Sequence, residues 1–492
     1  MKARFLALFL LLSISGVAQA PARKPANHLP DSRLVATDAA GFYKMPTGIG
    51  DDYFDGTDSV ARVRRHMQTA RAVGAKYLRC AFSWNGIEHQ QGKFSWRFWD
   101  QLVSEAERAG IQLIPYVAYT PEWAARSRVE FWKQPPRDPA LFAKFMETIA
   151  TRYRGRIKSW ELWNEPDLSE YWQGTPDEFA ELIRQGAAAV RRADPKAVVV
   201  LGGMSRGPSP FFQRLIAADH IADVVDVVAQ HAYPESWDPE RAETIFFDWP
   251  VEMQKLVAAS RSGPNSQTDF WLNEIGYPDY RFSPTNASKY GDTNVYYAYE
   301  HTSRYQGVFL FKSFVMARAS DTSSLTSWYR IDDFPRTERR LGDDLIHFHL
   351  GVINARGQRK PSFFAFRFYN RLFRLPVREV QDRNASSRPP TSQAIVNIFE
   401  RNDHRIIVAA WLRSSEPNEV PVRIGNLPDL RSEKVSVKLP CRRVPGVQFF
   451  NELGQTVSTT ARLRKTPPQV SLTNIPLRGD KIFIAVARCE NN

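Results

Sequence analysis

The sequence predicts an α/β fold: a (β/α)8 TIM barrel followed by a β-sandwich. Three observations lead there. Between residues 39 and 375, short apolar segments alternate with longer helical stretches, and the pair repeats seven or eight times. Strands buried on both faces and separated by helices belong to a parallel sheet, and that many repeats close the sheet into a barrel. From residue 376 to 492 the helical stretches stop and short strands follow one another across turn residues, the pattern of a sandwich. Finally, 492 residues exceed the size at which a single core stops growing, so two domains are expected.

The elements follow in order. Residues 1–20 read as an export signal. Lys2 and Arg4 form a basic start, Phe5 to Ile14 a short apolar core, and Val17-Ala18-Gln19-Ala20 a small-residue cleavage site. The apolar run is too short to span a membrane, so no stable membrane insertion is expected. Residues 21–38, rich in Pro, Ala and Arg, read as a leader. The first barrel strand is placed at 41–45. Six helix–strand pairs come next: 61–73 with 76–82, 99–109 with 111–117, 139–153 with 157–163, 176–192 with 197–202, 211–218 with 224–230, and 251–259 with 269–273. A long helix at 293–317 leads to a strand at 325–329, and a helix at 361–372 closes the barrel. The sandwich strands are placed at 394–399, 405–411, 420–424, 433–439, 448–452, 470–472 and 481–487, with an exposed loop at 381–391.

Composition narrows the function classes. The formal net charge is +13; loss of Lys2 and Arg4 with the signal leaves 13 − 2 = +11. Such a field favours anionic partners, an acidic glycan among them. Nucleic acid is not expected as a partner, because no dense Lys/Arg stripe with interleaved stacking aromatics is present. No Gly-x-Gly-x-x-Gly or Walker loop appears, and no cofactor is called for. His347 and His349 share a segment without a carboxylate–histidine pattern, so no metal site is assigned. Of three cysteines, Cys441 and Cys489 are close enough in sequence to pair, and Cys80 lies in an apolar strand as a buried thiol.

The chemistry sits at two strand ends. Trp160-Glu161-Leu162-Trp163-Asn164-Glu165-Pro166 ends one strand, and Phe270-Trp271-Leu272-Asn273-Glu274-Ile275-Gly276-Tyr277-Pro278 ends another. Working groups of a (β/α)8 barrel lie at the C-terminal ends of its strands. Two carboxylates across one cleft are the chemistry of glycoside hydrolysis. Trp160 and Trp163 offer apolar walls that raise a carboxyl pKa, as a general acid requires.

These two motifs resemble retaining glycosidases of clan A, and within them glycoside hydrolase family 39, which includes β-xylosidases, iduronidases and bacterial exopolysaccharide hydrolases. The resemblance implies that Glu165, after the fourth strand, is the acid/base, with Asn164 beside it, and that Glu274, after the seventh, is the nucleophile. Arg79, in Leu78-Arg79-Cys80, matches a residue that bonds the nucleophile and holds it ionised at a low pKa. His231 and Tyr233 match the pair beside the nucleophile. Trp328 matches the aromatic that floors the −1 sugar. Trp84, Tyr116, Trp123 and Trp172 are candidates to stack against sugar faces. The implied double displacement places the carboxyls about 5–5.5 Å apart.

Rim aromatics at Trp84, Tyr119, Trp123, Trp132, Trp172, Trp237 and Trp249 suggest several subsites, hence cleavage of internal β-bonds in a polysaccharide, an acidic exopolysaccharide fitting the basic charge. Exo-acting β-xylosidase or β-glucosidase activity is the alternative. A secreted glycan-binding protein without turnover is a third reading, whose signature would be loss of Glu165 or Glu274. A monomer, secreted or periplasmic in a bacterium, completes the expectation.

Overall fold

The computed structural model describes residues 34–54, 56–234, 236–238, 240–261, 268–279, 301–334, 349–382, 384–413, 431–466 and 469–490. The export signal, most of the leader, the start of the helix placed at 293–317, His347 and the strand placed at 420–424 lie outside the described residues.

Eight parallel strands close into a barrel: β1 (Thr47–Gly50), β2 (Tyr77–Ser83), β3 (Gln112–Ala118), β4 (Ser159–Leu162), β5 (Val198–Leu201), β6 (Val227–Ala232), β7 (Asp269–Ile275) and β8 (Leu325–Tyr329), with β8 pairing back to β1. A helix follows each strand: α1 (Val60–Val73), α2 (Arg97–Ala109), α3 (Pro139–Arg152), α4 (Pro176–Ala193), α5 (Pro210–Ala217), α6 (Trp249–Ser260), α7 (Ser303–Ala319) and α8 (Pro361–Leu372). Local sequence explains several boundaries. Ser59 caps α1 and Thr175 with Glu178 forms a capping box on α4. Gly74 and Gly110 end α1 and α2 in the left-handed conformation that glycine adopts without penalty.

The first strand is a correction. Residues 41–45 form no barrel strand: Tyr43 makes an isolated bridge with Val377 of the sandwich. The true β1 is Thr-Gly-Ile-Gly, a sequence that glycine disguises. A Cβ at Gly48 would stand 2.9 Å from Ser327 Oγ, so glycine lets β1 and β8 close the barrel.

Side chains alternate between the barrel interior and the helix layer. Ile114, Val200, Val227, Ala229, Trp271 and Leu325 form an apolar layer inside the barrel. Towards the C-terminal rim come Tyr116, His231 and Asn273, one step further along β3, β6 and β7, joined by Arg79 of β2 and Glu161 of β4, all buried and polar. The other parity packs against the helices in one continuous core.

The C-terminal region has two sheets. One runs β13 (Val447–Phe450), β16 (Phe483–Arg488), β11 (Arg405–Leu412), β10 (Ala394–Arg401), β9 (Val377–Val380). The other runs β12 (Ser432–Leu439), β15 (Gln469–Arg478), β14 (Arg462–Thr466). The sequence does not announce β9 or β14, since each is short or mostly charged. The larger sheet packs on α8 through Phe368 against Phe450 (5.4 Å between ring centroids) and Phe373 against Phe399 (5.3 Å). Cys441 and Cys489 form a disulfide beyond the ends of β12 and β16, tying the two sheets together. Cys80 is a buried free thiol. Among the described residues no helix is long and apolar enough to cross a membrane.

Candidate active site

The rim of the barrel gathers charge around Arg79 of β2. Its Nε and Nη2 donate to Glu161 on β4 at 2.8 and 2.9 Å, Nη2 also donates to Asn164 Oδ1 at 2.6 Å, and Nη1 donates to Glu274 Oε2. The Arg79 guanidinium lies 4.4 Å from the Tyr116 ring centroid. Glu161 is fully buried, and it further accepts from Gly203 N at 3.0 Å and Asn273 Nδ2 at 2.9 Å. A buried carboxylate needs this saturation, because unpaired charge in the interior costs several kcal/mol. Sequence reasoning missed Glu161, although an acid in the middle of an apolar strand, at the parity of Ser159, marks an interior position.

Glu165 sits where the chain turns off β4. Trp163 and Glu165 both have positive φ, 81° and 43°. Non-glycine residues rarely hold that conformation, and a site that depends on one must restrain it. Trp163 N donates to Val117 O and Glu165 N to Gly203 O, each at 3.0 Å, which fixes the turn. The Glu165 carboxyl shares a 2.7 Å hydrogen bond with His231 Nδ1. His231 lies on β6, not after it, and Gly203 must be glycine because a Cβ there would stand 2.2 Å from His231 Nε2.

Glu274 is likewise within its strand, near the end of β7, where a register shift brings it level with His231. It accepts from Tyr233 Oη as well as from Arg79. His231 Nδ1 is 3.8 Å from Glu274 Oε1. One carboxylate oxygen of Glu165 and one of Glu274 lie within 4.8 Å of each other.

Burial decides the protonation states. It pushes the Glu165 carboxyl up to about 8, with the Asp167 charge adding to the shift and Arg79 opposing it. It also raises Glu274 above the ordinary range, while His231 and Arg79 pull the other way. The expectation that Arg79 holds Glu274 at a low pKa is therefore corrected: desolvation outweighs the guanidinium, which already serves Glu161. Burial lowers the His231 pKa, favouring neutral imidazole.

The remaining candidates separate. Trp328 does not floor the pocket. Alternation turns it outward, where it packs on Phe314 of α7 and donates from Nε1 to Leu350 O at 3.3 Å. Its neighbour Tyr329 faces inward instead. Trp84 is fully buried, stacked on Phe145 and bonded to Glu88. Trp172 is buried between Trp163 and Phe179. Trp123 is half-buried, edge-on to Trp84, with its Nε1 donating to Glu88 O at 2.7 Å. Tyr116 faces the interior and donates to Asp52 Oδ1 at 2.7 Å. Sequence reasoning missed Asp52, Tyr171 and Tyr329 as pocket residues and named Tyr119 only as a rim aromatic. Asn164 Nδ2 donates to Tyr119 Oη at 3.2 Å, and the Tyr119 and Tyr171 rings stack at 6.0 Å. Asp52 was lost with the misplaced first strand.

Comparison with known proteins fits this geometry. The model of glycosyl hydrolases family 39 matches residues 63–415. A β-xylosidase of Caldicellulosiruptor saccharolyticus is 23% identical over 255 residues, 48% of this chain and 47% of that protein. A β-xylosidase of Geobacillus stearothermophilus is 22% identical over 269 residues, 50% of this chain and 49% of that protein. The chain thus spans about half the length of the curated relatives it matches. Among solved structures, a family 39 glycoside hydrolase of Bacteroides cellulosilyticus WH2 superposes with a TM-score of 0.65 at 16% identity, covering 90% of this chain and 81% of that one. A monomeric β-xylosidase of Caulobacter crescentus CB15 gives 0.60 at 17%, covering 90% and 96%.

These relatives overturn the expectation of internal cleavage: they are β-xylosidases, a class that removes terminal sugars. Part of the physical basis of that expectation also falls, because Trp84 and Trp172 are buried packing residues and Trp249 sits against Gly207. With its barrel, its carboxylate pair and a family match across residues 63–415, the chain belongs to glycosyl hydrolases family 39.

Proposed function

We propose that this protein is a retaining, exo-acting β-glycosidase of the β-xylosidase or β-glucosidase type. The observation that carries the retaining mechanism is the approach of the Glu165 and Glu274 carboxylate oxygens to within 4.8 Å, the spacing of direct attack rather than of an intervening water, and the similarity to β-xylosidases supports the exo mode. Glu274, facing Arg79 and Tyr233, attacks the anomeric carbon. Glu165, carrying a proton at neutral pH, delivers it to the leaving oxygen, and a covalent glycosyl-enzyme forms. The Glu165 carboxylate then takes a proton from water, which releases the sugar with its configuration unchanged.

Neutral His231 orients the Glu165 carboxyl. Arg79, locked by Glu161, orients Glu274 and Asn164. Tyr116, Tyr233 and Asn164 meet the bound sugar, while Trp84, Trp123, Trp172 and Trp328 act through packing. The substrate is an oligosaccharide or a chain end. Residues 1–20 direct export to the periplasm or beyond in a bacterium, 21–38 form a leader, 39–375 the catalytic barrel and 376–492 a supporting sandwich. The protein works as a monomer; the β-xylosidase of Caulobacter crescentus CB15 is monomeric.

The test is product analysis on p-nitrophenyl β-xyloside and on xylo-oligosaccharides, with Glu165→Gln and Glu274→Gln alongside. Single sugars from wild type and none from Glu274→Gln support the reading. Release of longer fragments, or turnover by Glu274→Gln, contradicts it. The kcat/KM profile should be bell-shaped, its alkaline limb near pH 8 from Glu165 and its acid limb above the ordinary carboxylate range from Glu274.

A further inference from the structure

Asp51 and Asp52 are neighbours at the end of β1 with opposite fates. Asp51 turns away from the pocket, paired with Arg330 and with Arg62 at 3.0 Å. Among the described residues Asp52 enters no direct ion pair; the Arg330 guanidinium feels its charge only at longer range. Its Oδ1 accepts from Tyr116 Oη at 2.7 Å and its Oδ2 from Tyr329 Oη at 2.6 Å. Its exposure, 7%, equals that of Asn164 and nearly that of Glu165 (8%) and Glu274 (9%), so it shares their degree of enclosure. A carboxylate this enclosed is ordinarily paired with positive charge. Two phenols leave each oxygen with a further lone pair.

The barrel order locates Asp52 relative to the chemistry. β8 and β1 lie four strands round from β4 and β5, so Asp52 and Tyr329 face Glu165 across the pocket. Glu165 meets the leaving oxygen, hence the opposite wall meets the far side of the bound sugar. There Asp52 and Tyr329 close the pocket, and the Tyr116 hydroxyl reaches Asp52 from β3, beside β4. The wall is also rich in acidic side chains: Asp52, Glu161, Glu165 and Glu274 line it, against the guanidinium of Arg79. Behind the wall, Asp51 and Asp332 are matched by Arg62 and Arg330.

We infer that Asp52 selects the terminal sugar, accepting hydrogen bonds from hydroxyls on its non-reducing side and rejecting sugars that carry a carboxylate. The inference rests on the hydrolase reading and narrows it to neutral sugars. It opposes the acidic-glycan hint of the surface charge, because the field inside the pocket has the other sign.

The experiment compares wild type and Asp52→Asn on p-nitrophenyl β-xyloside, β-glucoside and β-glucuronide, with melting temperature and pH profile measured alongside. Wild type should use a neutral glycoside about 100-fold or more better than the glucuronide. Asp52→Asn should lose about 10- to 100-fold in kcat/KM on the neutral substrate, chiefly through KM, and narrow the ratio to the glucuronide. The alkaline limb near pH 8 should stay. An unchanged ratio, or a wild-type preference for the glucuronide, overturns the inference and leaves the hydrolase reading intact. No turnover of any of the three by wild type overturns both. Calorimetry on wild type, free of any folding defect in the variant, should detect xylose or glucose binding and none of glucuronate; equal binding of glucuronate overturns the inference.

Discussion

Two adjacent layers of one barrel, sharing strands β3, β6 and β7, are built to opposite ends. The lower holds Ile114, Val200, Val227, Ala229, Trp271 and Leu325, with no charge. The upper holds Arg79, Tyr116, Glu161, His231 and Asn273 on its walls, with Glu165 and Glu274 at its mouth. Successive interior positions on a strand differ by two residues, so Ile114 and Tyr116, Trp271 and Asn273, or Ala229 and His231 are one pleat apart. The apolar layer is a rigid footing. The polar layer spends its burial on fixed charges and shifted protonation states. Stability and activity should accordingly separate between layers.

The largest effect expected is at the mouth. Glu274→Gln should lower kcat by about 10⁵-fold, as loss of a nucleophile does elsewhere. Its melting temperature should hold or rise, since a costly buried charge is removed. A variant that loses activity only in proportion to its folded fraction would break the division. In the lower layer, Trp271→Ala should cost about 3–5 kcal/mol of stability. Denaturant unfolding measures this, and an enzyme of unchanged midpoint but low activity would break the division from the other side.

A subtler effect links the layers to pH. Burial holds the folded-state pKa of Glu165 near 8, above its ordinary 4.5. Its contribution to stability is full below pH 4.5 and is lost as pH rises through 8, amounting to on the order of 5 kcal/mol. Glu165→Gln should flatten this fall in melts between pH 5 and 8, while lowering kcat about 10²- to 10⁴-fold. An unaltered pH dependence of the melts would remove Glu165 as a buried proton carrier. The smallest effect is Ile114→Val, about 0.5–1.5 kcal/mol of stability with kcat/KM unchanged.

The same pleat explains what the sequence made legible. Most helices with caps and apolar periodicity were placed to within a few residues, but the one placed at 293–317 was drawn too long, since Thr302 caps a helix that begins at Ser303; seven strands were found because they are apolar runs. The strand Thr-Gly-Ile-Gly has two glycines and no such run, so β1 was misplaced and Asp52 vanished with it. Glu165 and Glu274 stood out because their flanking motifs are distinctive. Glu161 sat within one of those motifs but plays its part through Arg79, a pairing between β2 and β4 that only the closed barrel creates. Trp328 and Tyr329 differ by a single parity step, and register cannot be set by eye in a five-residue strand that is buried on both faces.

The central claim is that Glu274 attacks the sugar directly while Glu165 serves first as acid and then as base. Proton NMR of the first product released from p-nitrophenyl β-xyloside, or from the β-glucoside if that is the better substrate, tests it most directly. Two displacements predict that the β-anomer appears first and then mutarotates towards equilibrium. Initial appearance of the α-anomer would mean a single displacement by water and would contradict the account.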